Sequence, residues 1–65
     1  MHKRYIIWIL YGLEGWSIYE ETDVETELDK IVLAAIRAGG QEILLTEHLP
    51  YHVSLTKRAS RPGTN

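Results

Sequence analysis

The chain is expected to adopt an α+β fold: a four-stranded antiparallel sheet in the order β-β-α-β-β, with one helix packed on one face. Three observations predict this. Two short runs of alternating or wholly apolar residues stand on each side of a single segment with a helical apolar period. Glycine or proline punctuates the connections at residues 12, 15, 39, 40 and 50. The length of 65 residues has room for one layer of strands and one helix, and no more.

Residues 4–11 are rich in Tyr, Ile and Trp, which suit a pleated surface. On period two, Tyr5, Ile7, Ile9 and Tyr11 face one way and Ile6, Trp8 and Leu10 the other, so both faces of this strand are apolar and it belongs at the centre of the sheet. Gly12 and Gly15 bracket a tight loop, after which Trp16 and Ile18 alternate with Ser17 and Tyr19 as the return strand of a hairpin. A Tyr11–Trp16 cross-strand pair is expected in that hairpin. Thr22-Asp23-Val24-Glu25 fits a capping box, and Val24, Leu28, Ile31, Val32, Ala35 and Ile36 form one apolar helical stripe of about sixteen residues ending at Gly39-Gly40. Leu33 lies on the far side of that stripe. Residues 42–47 form a third strand, His48-Leu49-Pro50 a break, and residues 51–57 a half-exposed fourth strand. The domain is thus expected over residues 1–57, with 58–65 a mobile basic tail. A right-handed crossover from the second strand predicts spatial order 2-1-3-4, with 2-1-4-3 the alternative.

One helix covers one face of such a sheet. The other face then keeps an apolar set, either Ile6, Trp8 and Leu10 or their neighbours, and exposed patches of that size mark interfaces. With no cysteine to supply a disulfide, a chain this small needs help from packing or association, which predicts a homodimer stacked through Ile6, Trp8 and Leu10.

Charge narrows the partners. Seven basic and nine acidic residues give a net charge of −2, which argues against a chain built to coat nucleic acid or an anionic membrane. The acids Glu14, Glu20, Glu21, Asp23, Glu25, Glu27 and Asp29 fall in one stretch without a Lys or Arg, so one surface is acidic and suits a basic partner. The apolar run near the N-terminus is too short for a membrane span and is followed by no signal-peptidase site, which predicts a cytoplasmic protein.

Sites of chemistry are sparse. His48 and His52 have metal-ligand spacing only on a helix that Pro50 disfavours, and no third ligand is evident. Ser54 near His52 lacks a strained nucleophile turn or an oxyanion-hole loop. Neither a catalytic set nor a metal or cofactor site is expected. The compact hairpin-helix-hairpin layout over residues 3–57, free of cysteine and with an acidic helix start, resembles the short proteins that bacteriophages use to inhibit host or defence proteins. The resemblance implies a non-catalytic binding protein that occupies a surface of a larger protein in the host cytoplasm. Candidate contacts are Glu20, Glu21, Asp23, Glu25, Glu27, Leu33, Trp16 and Tyr51. The alternatives are a dimeric nucleotide-binding module lined by Arg4, Lys57 or His52, and a nucleic-acid-binding module using Lys3, Arg4, Lys57, Arg58 and Arg61.

Overall fold

Alternation of large apolar residues on both faces puts the first strand where both faces can be covered, and the computed structural model, which describes residues 3–60, places it at the sheet's interior. Strand β1 (Arg4–Tyr11) pairs antiparallel with β2 (Gly15–Thr22) on one side and with β3 (Glu42–Leu49) on the other; β4 (His52–Ser60) completes the order β2-β1-β3-β4. Helix α1 (Leu28–Arg37) lies on the face that carries Tyr5, Ile7, Ile9, Ile43 and Leu45. The fold class and strand order are those the sequence predicts. No helix among the described residues is long and apolar enough to cross a membrane.

The core is the seam between α1 and this face. Ile31, Val32 and Ala35 of the helix bury against Ile7, Ile9 and Ile43, with Leu28, Ile36 and Tyr19 packed around them. Ile7, Ile9 and Ile43 are the largest fully buried side chains, each contributing roughly 1.5–3 kcal/mol of transfer free energy. The helix stops in a Schellman motif: Gly39 adopts φ +104°, the Gly40 N–H donates to the Ala35 carbonyl and the Gly39 N–H to the Ile36 carbonyl. Gly40 is needed for a second reason. A Cβ there would sit 2.6–2.9 Å from Ile9 and Ile43 side-chain carbons, so the chain leaves the helix pressed against the core. The Gln41 N–H then donates to the Leu10 carbonyl and leads into β3.

Several local expectations are corrected. The capping box does not form: the Thr22 hydroxyl accepts the Val24 N–H two residues on, and the chain takes a 3-10 turn over Glu25–Glu27 before the α-helix begins without a side-chain cap. The helix is therefore ten residues long, and Val24 is 46% exposed instead of joining the core. The Tyr11–Trp16 pair is also absent, because Tyr11 stands opposite Gly15 and Trp16 opposite Leu10, on the other face. The Tyr11 hydroxyl reaches the Ala38 carbonyl at 3.5 Å. Strand β3 runs through His48 to Leu49, leaving Pro50 and Tyr51 as the turn. Strand β4 continues past residue 57, so Arg58 and Ala59 belong to the sheet; the expected tail from residue 61 onward lies outside the described residues.

Candidate interaction surface

Among the described residues, no element covers the sheet face opposite α1. Because directly paired residues of antiparallel strands share a face, the register assigns its side chains row by row. Trp16 and Leu10 lie in one row with Glu42; Ile18, Trp8, Leu44 and Arg58 form the next; Glu21, Ile6, Thr46 and Leu55 the third; Arg4, His48 and Val53 the last. The apolar members run diagonally, from Trp16 and Ile18 on β2, through Trp8 and Leu44, to Leu55 and Val53 on β4. Ile18 is 48% exposed and Leu55 60%. Ion pairs occupy the two corners off the diagonal. Arg4 Nη1 meets Glu21 Oε1 at 3.3 Å in one, and Arg58 donates to Glu42 Oε1, from Nε at 3.1 Å, in the other.

Two register shifts on the edge strands create this pattern. Each follows a β-bulge, one against Ile7/Trp8 on the β2 side and one against Leu45/Thr46 on the β4 side. The first turns Glu21 toward Arg4 on the open face while Glu20 stands opposite Ile7. The second puts Arg58 on the open face and Lys57 on the helix side, where Lys57 Nζ lies 3.6 Å from Asp29 Oδ1. At the centre, the Trp8 indole N–H donates to Thr46 Oγ1 at 2.8 Å, and His48 Nε2 lies 2.8 Å from the same hydroxyl. Thr46 Oγ1 is also 3.4 Å from the Ile6 carbonyl. Trp8 Nε1, Thr46 Oγ1 and His48 Nε2 therefore find partners within the band.

The predicted interface residues Ile6, Trp8 and Leu10 are all on this face and half-buried. Of the predicted partner contacts, Glu20, Glu21, Asp23, Glu25 and Glu27 are exposed around the end of β2 and the link to α1. Glu21 and Asp23 border a shallow cleft with Arg4 and Thr22. Leu33 is 47% exposed on the outer side of the helix. Trp16 and Tyr51 do not form one aromatic site: Trp16 follows the β1–β2 loop and Tyr51 sits in the β3–β4 turn, at opposite ends of the sheet. Leu13, fully exposed at the tip of the 3-10 turn between Gly12 and Gly15, is a surface feature the sequence reading missed. An apolar residue between two glycines is its only signal.

The alternative sites are not assembled within one chain. Arg4 and Lys57 point to opposite sheet faces, with His52 on the Lys57 side of β4, so one protomer alone does not bring the three together; the expected pocket needs a dimer interface. Lys3 and Arg4 are separated from Lys57 and Arg58 by β3, and each of the four is ion-paired with a carboxylate. His48 shares a face with Val53 and Arg4, which places His52 on the other face. No group of three His, Asp or Glu side chains gathers among the described residues to hold a metal. No protein-family model, curated protein or solved structure matches the chain.

Proposed function

We propose that this is a non-catalytic binding protein that acts by occupying a surface of a larger protein, in the manner of a phage-encoded inhibitor of a host or defence protein in the host cytoplasm. The observation that supports an associating, non-catalytic role is the open sheet face. It carries a contiguous apolar band with its few polar groups internally paired, the composition of a surface that another protein surface covers.

The acidic link gives the sign of the target. Glu20, Asp23, Glu25 and Glu27 are exposed and make no ion pair among the described residues, so their field is free to steer a basic surface. The test is capture from cell extract with the wild-type chain and with a variant carrying Glu20→Lys, Asp23→Lys, Glu25→Lys and Glu27→Lys. A partner retained by the wild type and lost by the variant supports the reading. A variant that keeps every partner, or a wild-type chain that retains none, contradicts it.

A further inference from the structure

We infer that the open sheet face is closed by a second copy of this chain, with the apolar band of one protomer laid on that of the other. The inference rests on the proposed reading only in that this face is covered by protein; a second copy covers it, and the target meets the acidic link. Its warrant is the arrangement of charge on the face. The band runs along one diagonal, and the ion pairs Arg4–Glu21 and Arg58–Glu42 occupy the two corners of the other.

Consider the two-fold axes that can lie in such an interface. An axis along the strands, or at right angles to them, sets each charged corner on an apolar end of the partner's band, at Trp16 and Ile18 or at Leu55 and Val53. Each ion pair would there be desolvated against apolar surface, with no polar group of the partner to offset the loss of water. An axis along the band, or across it, sets band on band and ion pair on ion pair. Each corner then brings one cation and one anion to the corresponding corner of the partner, so Arg and Glu can exchange contacts without a new unpaired charge. The strands of the two sheets cross steeply in that arrangement, as in orthogonal sheet packing.

A self-complementary face of this kind is what an isologous contact requires. The area is at the threshold: four strands about 4.8 Å apart, each about eight residues long at ~3.4 Å per residue, present at most about 500 Å². Two copies then bury up to about 1,000 Å², the size of a small, reversible interface. Association of this kind also supplies the stabilisation that a 65-residue chain without cysteine lacks elsewhere. Both helices are left on the outside of the pair, with their acidic links exposed for the target.

The experiment is sedimentation equilibrium at micromolar protein, with circular dichroism to verify folding. The wild type is expected at twice its 7.5 kDa chain mass. Ile18→Glu combined with Leu55→Glu puts two charges into the band at sites already exposed in one protomer, and is expected to give a folded species of single mass. Should that variant fail to fold, Val53→Glu on the edge strand replaces it. Leu33→Glu, on the helix, is expected to leave the double mass unchanged. A folded wild-type monomer, a folded band variant that keeps the double mass, or loss of the double mass in Leu33→Glu overturns the inference. A monomer that still captures its partner through the acidic link removes the dimer alone; a dimer that captures none removes only the target reading.

Discussion

The two faces of the sheet are built from the same four strands and differ in what closes them. On the covered face Ile7, Ile9 and Ile43 meet Ile31, Val32 and Ala35, and among the described residues no polar or charged residue is buried. On the open face the same strands present Ile6, Trp8, Leu10 and Leu44, yet the edge strands leave Ile18 and Leu55 substantially exposed, and arginine–glutamate pairs fill two corners. Helix α1 closes the first face, whereas among the described residues no element closes the second, although its central strands are also apolar. A face intended only for water would place polar residues at these alternate positions.

The largest effect that could break this comparison is at the covered face. Ile9→Ala removes a fully buried side chain and is expected to lower unfolding free energy by about 2–5 kcal/mol in urea titration. A loss under about 1 kcal/mol would mean that α1 does not form the principal core. Gly40→Ala comes next, at about 1–3 kcal/mol, because its Cβ would overlap Ile9 and Ile43; an unchanged urea midpoint would contradict the close approach. Thr46→Val probes the open face. It removes the acceptor of the Trp8 indole N–H and is expected to cost about 1 kcal/mol, with a change in tryptophan emission that Thr46→Ser does not produce.

The smallest effect sharpens the comparison most. Leu33 and Leu55 are similarly exposed in a single protomer, on the helix and on the open face respectively. For an isolated chain, Leu33→Ala and Leu55→Ala would each fall within about 0.5 kcal/mol of wild type. If the open face is covered, Leu55→Ala costs measurably more than Leu33→Ala at micromolar protein, and the gap closes on dilution.

Much of the covered side is legible in the sequence. The period of Leu28, Ile31, Val32, Ala35 and Ile36 identifies the helical face, and the two-sided apolar character of residues 5–11 identifies the central strand. What escapes the sequence depends on register. Tyr11 and Trp16 read as a cross-strand pair until the hairpin sets Tyr11 opposite Gly15. Thr22 and Glu25 read as a capping box, but the Thr22 hydroxyl finds a nearer donor at Val24, which turns the chain one step early and shortens the helix. The diagonal band is the least legible feature of all. It depends on two bulges that decide which of Glu20 or Glu21, and which of Lys57 or Arg58, reaches the open face, and a bulge leaves no mark in the period-two pattern of these short strands.

If a second copy covers it, the open face becomes part of the folded protein's own stability. Linkage tests this directly, since an equilibrium between folded dimer and unfolded chains depends on total protein concentration. The measurement is the urea midpoint of the wild-type chain across a dilution series from high to low micromolar protein. The wild-type midpoint is expected to fall steadily on dilution, and that of the Ile18→Glu, Leu55→Glu variant to stay constant. A wild-type midpoint independent of concentration would contradict it.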